Sequence, residues 1–255
     1  MTGAAVLAAN AALRSGAGVV TLGVAESLHH IMEEKLTEVM TSSLTETVIG
    51  YVGEEAYDEI AKLSLDSDVV AIGPGLGRHE ETLSLTRQVI KEVEKPLVID
   101  ADALYSLIDN TAILTEAKSM PVLTPHPGEM ARLLGLTSEE VNQDRVYIAR
   151  QAAIEWGSIV ILKGARTVVA FPDGEVYINI SGNAGMATAG AGDVLTGVIA
   201  GLIGQGLSSH EAALAGVYIH GLAGDIVARG GMIGMIASDF IAALPAAIFG
   251  IQEKD

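Results

Sequence analysis

Residues 181–197 combine small side chains with a single carboxylate, a combination that suits phosphate chemistry. The segment reads Ser-Gly-Asn-Ala-Gly-Met-Ala-Thr-Ala-Gly-Ala-Gly-Asp-Val-Leu-Thr-Gly, and a long apolar run begins at Val194. Gly190 and Gly192 let the backbone approach a ligand closely, and the amides at the start of the following helix attract anions. Asp193 beside such an anion hole is placed to take a proton from a hydroxyl. The alternative is a tight turn in which Asp193 only caps the helix, and this segment alone does not separate the two interpretations.

Two further segments place glycines or carboxylates directly after predicted strands. Gly73, Gly75 and Gly77 follow an apolar strand, where ligands of open α/β sheets bind, although an ordinary turn between strand and helix has the same composition. At the end of the next strand, in Ile-Asp-Ala-Asp-Ala, Asp100 is a candidate for holding Mg²⁺ through water or accepting from a hydroxyl. Asp102 is suited to capping the helix that follows.

Histidine and lysine supply candidate contacts at two more strand ends. Two prolines flank His126 in Thr-Pro-His-Pro-Gly-Glu, so its backbone has little freedom and its imidazole is aimed in one direction. Glu129 falls in the first turn of the next helix, where the helix dipole alone favours a carboxylate. Lys163 precedes the turn 164–167 and is suited to neutralising phosphate oxygens, and Thr167 to bonding a nucleotide. The alternative for this turn is a solvated loop without a ligand.

The order of strands and helices predicts how these candidates come together. Apolar strands are predicted at 19–24, 38–44, 68–73, 96–100, 121–124 and 159–163, a hairpin at 167–171 and 176–180, and helices at 4–15, 26–35, 54–63, 80–92, from 103, 138–156, 192–206, 208–228 and 237–248. Continuous apolar strands that alternate with helices are typical of a parallel sheet with helices on both faces. The sequence therefore predicts one α/β domain over residues 1–255, in which the strand ends converge on one edge of the sheet.

Composition narrows the possible partners. The chain has 15 Lys and Arg residues against 32 Asp and Glu residues, a formal net charge of −17, which repels nucleic acid and anionic lipid. The absence of cysteine excludes disulfides, thiolate metal sites and cysteine nucleophiles. Neither a secretory signal nor an apolar run of membrane-spanning length is visible in the sequence. We expect a cytoplasmic enzyme that binds neither nucleic acid nor membranes.

Seven motifs together resemble one protein family from about residue 3 to residue 248. They are Gly16-Ala-Gly-Val-Val-Thr-Leu, Ile72-Gly-Pro-Gly-Leu-Gly77, Val98-Ile-Asp-Ala-Asp-Ala103, Leu123-Thr-Pro-His-Pro-Gly-Glu129, Leu162-Lys-Gly164, Gly182-Asn-Ala-Gly-Met-Ala187 and Gly190-Ala-Gly-Asp-Val-Leu-Thr-Gly197. The chain resembles the ADP- or ATP-dependent NAD(P)H-hydrate dehydratases of the ribokinase-like superfamily. Thr-Pro-His-Pro-Gly-Glu together with Gly-Asn-x-Gly-Met is specific within that superfamily, whereas Gly-Ala-Gly-Asp is not.

The resemblance implies a ribokinase-like three-layer sandwich that repairs a damaged cofactor. NADH or NADPH hydrate (NADHX or NADPHX) would be phosphorylated on its ring hydroxyl and would then lose phosphate, with Mg²⁺ and with ADP or ATP as donor, in a homotetramer. Asp193 would be the general base. Substrate contacts are implied at Ala4, Gly73, Gly75, Gly77, Asp100, His126 and Asp193, and nucleotide contacts at Lys163, Gly164, Ala165, Arg166, Thr167, Ala189, Gly190, Ala191 and Gly192. The resemblance assigns no metal ligand.

Two departures from the family pattern accompany the resemblance. Family members usually have a lysine-glycine segment, a strand and a Gly-Gly-Ser-like turn before Gly3-Ala4, whereas this sequence begins at Met1. Either the start is truncated, or the sheet lacks the first strand of the family. Ala184 stands where a proline is common. Two other functions stay open at this point: a vitamin or sugar kinase of the same superfamily, and a nucleotide-binding protein without catalysis.

Overall fold

A computed structural model of the chain describes residues 1–252. Its helices are α1 (Thr2–Arg14), α2 (Glu26–Lys35), α3 (Tyr57–Leu65), α4 (Glu80–Glu92), α5 (Asp102–Tyr105), α6 (Pro127–Leu134), α7 (Ser138–Gln143), α8 (Arg145–Trp156), α9 (Ala191–Gly204), α10 (Ser209–Ala228) and α11 (Ala237–Gln252). Its strands are β1 (Thr21–Ala25), β2 (Met40–Leu44), β3 (Val70–Ile72), β4 (Leu97–Ile99), β5 (Val122–Leu123), β6 (Ile159–Leu162), β7 (Val168–Ala170) and β8 (Val176–Ile178). Short 3₁₀ turns lie at Glu54–Ala56, Thr111–Glu116 and Ala184–Met186.

Six strands form the central sheet in the order in which they occur in the chain, from β3 to β8. The strands β3 to β6 are parallel, and β7 and β8 add an antiparallel hairpin at the end. The strands β1 and β2 pair with each other in parallel and form a separate sheet. The predicted mostly parallel α/β fold with a hairpin in its C-terminal half is confirmed.

The sheet is covered on both faces because successive strand residues point to opposite sides. Val98 of β4 packs into a core formed with α1, α9, α10 and α11, whereas Leu97 and Ile99 pack into a second core with α4, α6 and α8. The β6 residues Ile161 and Val160 divide in the same way between the two cores. The molecule therefore has the three layers that the sequence predicts.

The helices α1 and α9 cross unusually closely, and this contact places the start of α9. A methyl group added at Gly197 would overlap the backbone carbonyl of Ala8, and one added at Gly201 would lie 2.6 Å from the carbonyl oxygen of Ala12. Only glycine allows the two backbones to approach this far. The glycines of α9 thus hold α1 beside the segment that carries Asp193.

Two predicted elements differ from the structure. The strand at 68–73 was expected to be buried on both faces, but Ala71 is exposed because β3 is the edge strand of its sheet. The helix expected at 138–156 is broken at Asp144, whose backbone leaves the helical region and whose carboxylate caps α8 through the amide of Tyr147 at 3.0 Å. Among residues 1–252, the helices are all too short or too polar to cross a bilayer.

Candidate active site

The carboxyl ends of β4 to β6 and the first turn of α9 meet at one edge of the central sheet. Asp100 directly follows β4, and Lys163 directly follows β6. Because these strands run parallel, their carboxyl ends face the same way. Thr196 of α9 donates a hydrogen bond to Asp100 and so joins the start of α9 to the strand ends.

Asp100 is a buried carboxylate whose two oxygens both accept hydrogen bonds from side chains. Nζ of Lys163 donates to Oδ1 at 2.6 Å, and Oγ1 of Thr196 donates to Oδ2 at 2.7 Å. Burial on its own would raise the pKa of Asp100, but the charge of Lys163 and these hydrogen bonds hold the pKa below its ordinary value. Asp100 therefore stays ionised and anchors Lys163 and α9, and its implied contact with substrate stays a prediction.

Lys163 carries its charge into the site although it is almost enclosed. Burial would lower the pKa of its ammonium group, but the carboxylates of Asp100 and Glu129 raise it above its ordinary value. Oε2 of Glu129 lies 3.8 Å from Nζ. A methyl group added at Gly192 would lie only 3.1 Å from Nζ, so the ammonium group stands against the first turn of α9. Lys163 therefore adds positive charge to the anion hole expected there.

Asp193 differs from Asp100 in that no hydrogen bond reaches its carboxylate from any of residues 1–252. Its pKa is raised from 3.8 to about 6, first by burial and then by the negative charge of Asp100, against the opposing effect of Lys163. The structure places it in the first turn of α9, where Gly190 is the N-cap, so Asp193 is not the helix cap. A partly buried carboxylate with a raised pKa and no hydrogen-bond partner is suited to accepting a proton.

The backbone before Asp193 forms the expected glycine turn. Gly190 has φ +88°, and a methyl group there would lie 2.5 Å from Cδ1 of Leu7. The first amides of α9, from Ala191 to Asp193, cannot be satisfied inside the helix, and the positive end of the helix dipole lies beside them. Ala189 is exposed just before them. Four residues expected to contact nucleotide, 189–192, thus lie together at a helix N-terminus that is open to a phosphate.

Asp102 has a different contact from the one expected. The sequence suggested that it caps the following helix, but within the described chain α5 has Ala101 as N-cap and no side-chain cap. The carboxylate instead accepts from the amide of Gly77 at 3.0 Å and from Nε of Arg78 at 2.7 Å. Asp102 reaches back to the glycine turn because Ala101 adopts the rare φ of +50°. It thereby fixes the turn 73–77 beside the site.

Glycine is required at three positions of the turn 73–77, because other segments of the chain lie too close for a side chain. A methyl group added at Gly73, which has φ +126°, would overlap the carbonyl oxygen of Asp100. At Gly75 it would overlap the backbone of Met1, whose amino group also bonds the Gly75 carbonyl. At Gly77 it would overlap the ring of Tyr51. No sequence motif indicated Tyr51, because a single aromatic residue in a loop is too weak a signal.

His126 is the N-cap of α6, and this role fixes its imidazole. Its Nδ1 accepts from the amides of Gly128 and Glu129 at 3.0 and 3.3 Å, while Glu129 bonds back to the His126 amide at 2.7 Å. Because Nδ1 accepts, the proton of the neutral ring is on Nε2. Burial is the main cause that lowers the pKa of His126, followed by the opposing charge of Glu129, so the ring stays neutral. Nε2–H lies 3.5 Å from Oε1 of Glu129 and is half-exposed at the site.

Hydrogen bonds from Arg145, a residue that no sequence motif indicated, fix the backbone of the turn 163–167. Arg145, the first residue of α8, donates to the carbonyls of Leu162, Lys163 and Ala165 at 2.6 to 3.1 Å. Arg145 reaches these carbonyls because the helical backbone is interrupted at Asp144. Gly164, Ala165 and Arg166 are exposed, and Thr167 bonds the Gly164 carbonyl at 3.1 Å. The turn is thus accessible to a nucleotide while its backbone is fixed.

Ala4 lies on α1 between two parts of the site. One turn before it, Met1 touches Gly75, and one turn after it, Leu7 touches Gly190. The half-buried Ala4 therefore stands between the two glycine turns, as a substrate contact would require.

A third residue that the sequence did not indicate supports the Gly-Asn-Ala-Gly-Met segment. Asp225 of α10 accepts from the amide of Gly182 and from Nδ2 of Asn183, both at 2.9 Å, and Oδ1 of Asn183 accepts from the amide of Gly185 at 3.0 Å. These bonds order the segment that leads into the glycine turn at the start of α9. The available signal was a lone carboxylate in the second half of an otherwise apolar helix.

The fold and the site together define a class of protein: a ribokinase-like α/β protein with an anion hole, a lysine and a free carboxylate at one edge of its sheet. The chain belongs to the NAD(P)H-hydrate dehydratase family, whose model matches residues 1–246.

Named relatives and a solved structure agree with this assignment. A bifunctional NAD(P)H-hydrate repair enzyme of Moorella thermoacetica is 50% identical over 255 residues, which are 100% of this chain and 48% of that protein. An ADP-dependent (S)-NAD(P)H-hydrate dehydratase of Neisseria meningitidis is 39% identical over 89% of this chain and 73% of its own length. The crystal structure of the ADP/ATP-dependent dehydratase of Bacillus subtilis, co-crystallised with ATP/Mg²⁺ and soaked with CoA, has a TM-score of 0.83 at 29% identity and covers 98% of this chain and 87% of its own. The chain spans about half the length of the bifunctional relatives that it matches.

Proposed function

We propose that the protein removes water from NADH hydrate or NADPH hydrate and regenerates NAD(P)H, with ADP or ATP as phosphate donor. The observation that carries the proposal is Asp193: a carboxylate with a pKa of about 6 and, in the described chain, no bonded partner, placed beside a helix N-terminus and Lys163. Membership of the dehydratase family and the activities for which the relatives are named support this substrate.

The side chains suggest the following steps. Asp193 takes the proton of the ring hydroxyl, whose oxygen then bonds the terminal phosphorus of the nucleotide as the bond to the leaving nucleotide breaks. The amides at 189–192 and the ammonium group of Lys163 stabilise the charge on the transferring phosphoryl group. Phosphate then leaves the ring carbon with the electron pair of the C–O bond, and the neighbouring carbon gives its proton to water, so that the C–H electron pair forms the double bond. In this proposal Nε2–H of His126 donates to the substrate, and residues 163–167 contact the nucleotide.

Mg²⁺ would accompany the nucleotide. Across residues 1–252 no group of three or more His, Asp or Glu side chains is arranged to hold a metal ion. The carboxylates present fit an ion that is held mainly by nucleotide phosphates and water. When bound, the ion would neutralise phosphate charge.

The test is to add ADP or ATP with Mg²⁺ to the purified protein and NADHX or NADPHX, and to follow the absorbance band of the reduced nicotinamide. We expect the band to grow only when a nucleotide is present. The reaction should release one phosphate for each NAD(P)H formed. A stable phosphorylated alcohol without reduced nicotinamide would instead identify a small-molecule kinase. Nucleotide binding without turnover of a hydrate would identify a binding protein.

We also propose that residues 1–255 form one domain, since the two cores pack on opposite faces of one sheet. The homotetramer, the cytoplasmic location and the lack of nucleic-acid or membrane partners stay predictions. Light scattering of the purified protein tests the tetramer, and cell fractionation tests the location.

A further inference from the structure

The guanidinium group of Arg145 lies against the turn 163–167 and has no counter-ion within the described chain. In residues 1–252, every ion pair joins other side chains. Its Nε is buried without an acceptor, and burial lowers the pKa of the group with no carboxylate to raise it. A half-buried charge is usually paired, because an uncompensated charge is costly to remove from water. The chain therefore keeps a positive charge at this turn that its own acids do not neutralise.

The peptide groups of the turn are fixed by side chains on one side. The two Nη groups of Arg145 donate at 2.6 to 3.1 Å to the carbonyls of Leu162, Lys163 and Ala165. The remaining carbonyl of this stretch, that of Gly164, accepts from Oγ1 of Thr167 at 3.1 Å. Every carbonyl from residue 162 to residue 165 thus has a set direction.

The directions of the carbonyls decide where the amides of the turn point. A trans peptide group is planar, so its N–H points opposite to its C=O. The carbonyls of Lys163 and Ala165 point at the guanidinium group. The amides that follow them in the chain, those of Gly164 and Arg166, therefore point away from it. Both residues are exposed, so the turn presents two amide donors on the side opposite to Arg145.

The shape of the turn is one that few residues adopt unaided. Arg166 has φ +58°, a left-handed conformation that is costly for a residue with a side chain. Gly164 has φ +146°, and a methyl group added there would lie 2.9 Å from Nη2 of Arg145. Such a backbone persists only where its surroundings hold it. Without the guanidinium group, we expect the turn to relax and the two amides to lose their common direction.

We propose that Arg145 is a positioning residue for the nucleotide: it aims the amides of Gly164 and Arg166 at the bound nucleotide, and its unpaired charge attracts the negative charge of that ligand. The inference rests on the proposed function, in which residues 163–167 contact the nucleotide. Arg145 acts through the turn and touches neither the nucleotide nor the hydrate. It therefore affects binding of the nucleotide and leaves the reacting atoms alone.

The test compares Arg145→Lys and Arg145→Gln with Arg150→Lys and Arg150→Gln, controls at an exposed arginine of the same helix. We expect Arg145→Gln to raise the KM of the nucleotide by roughly tenfold or more, because charge-assisted hydrogen bonds are lost. Arg145→Lys should recover only part of this loss, since lysine keeps the charge but not the planar fork of donors. The kcat at saturating nucleotide and the KM of the hydrate should stay within about twofold of wild type.

Binding of ADP with Mg²⁺, measured by calorimetry without hydrate, separates this inference from the proposed function. If the wild type turns over a hydrate but the variants of Arg145 match their Arg150 controls in nucleotide KM and ADP affinity, the positioning role is wrong and the function stands. If no hydrate is turned over, but ADP binds and the variants of Arg145 weaken its binding, the proposed function is wrong and the positioning role stands.

A merely structural role for Arg145 gives a different pattern. Equal losses in kcat, in the KM of the hydrate and in the KM of the nucleotide would overturn the positioning role, because they would indicate a general defect of the site. Circular dichroism melting shows whether each variant is folded. If Arg145→Gln does not fold, Arg145→Lys decides the matter, since it keeps the charge and most of the side-chain volume.

Discussion

Asp100 and Asp193 are two carboxylates near Lys163 that differ in burial, in hydrogen bonding and in the direction of their pKa shifts. Asp100 is buried, accepts from Lys163 and Thr196, and has a lowered pKa. Asp193 is partly exposed, has no bonded partner in residues 1–252, and has a pKa raised to about 6. Part of that rise comes from the negative charge of Asp100 itself. One acid is thus kept ionised to build the site, and its negative charge helps to raise the pKa of the other.

The largest expected effect is on turnover in Asp193→Asn. We expect the rate to fall by roughly 10²- to 10⁴-fold, because the amide cannot accept the proton of the hydroxyl. The affinity for nucleotide should change little, since the amides at 189–192 and Lys163 stay in place. Steady-state kinetics and calorimetry with ADP measure the two quantities. Asp58→Asn, which removes an equal charge from the exposed side of α3, is the control.

Undiminished turnover in Asp193→Asn would exclude Asp193 as the base. The variant should also be as stable as wild type at neutral pH, or more stable. The pKa of Asp193 is raised in the folded protein, so its favourable contribution to stability exists below the ordinary value of 3.8 and is lost as the pH rises through about 6. Removal of the charge at pH 7 therefore removes an unfavourable ionisation.

The converse variant, Asp100→Asn, should act first on stability. Loss of the buried anion leaves Lys163 without its partner at 2.6 Å, and breaking one side of a buried ion pair costs roughly 3–5 kcal/mol. Urea unfolding at pH 7 measures the loss in the free energy of unfolding. Thr196→Val is the matched control, since it removes one hydrogen bond to the same carboxylate but keeps the ion pair, and it should cost roughly 1.5–3 kcal/mol. Equal stability of Asp100→Asn and wild type would contradict the anchoring role.

The sequence predicted the fold far better than it predicted the contacts within the site. Periodicity and glycine turns were enough to predict a mostly parallel sheet with a hairpin, and the helices α2 and α4, because these features depend on local residue types. The break at Asp144 was missed because flanking residues of good helix propensity hide it, and Arg145 was missed with it. Asp102 was assigned as a cap because composition cannot show that Ala101 adopts a positive φ. Such contacts depend on where distant segments meet.

A smaller effect is expected in the pH dependence of the wild type. Asp193 must be ionised to act as a base, so kcat/KM for the hydrate should fall about tenfold for each pH unit below about 6. The ionisation of Asp100 lies lower, since its pKa is held below the ordinary value, and should not appear in this range. Rates from pH 5 to 8 at saturating nucleotide measure the profile. A rate that is flat down to pH 5 would contradict the raised pKa of Asp193.

The smallest effect is expected in Glu129→Gln, which tests how neighbouring negative charge raises the pKa of Asp193. The negative charge of Glu129 is one of the causes that raise the pKa of Asp193, so its removal should move the acidic limb of the profile to lower pH. Glutamine at this position can still bond the amide of His126, so the cap of α6 should be kept. The shift is a direct readout of charge, which a merely structural change would not produce. If the acidic limb of the pH–rate profile does not move while kcat at pH 8 is unchanged, the charge of Glu129 does not act on the group that titrates near pH 6. That group would then not be the Asp193 carboxylate. The contrast between Asp100 and Asp193 would then rest on hydrogen bonding alone.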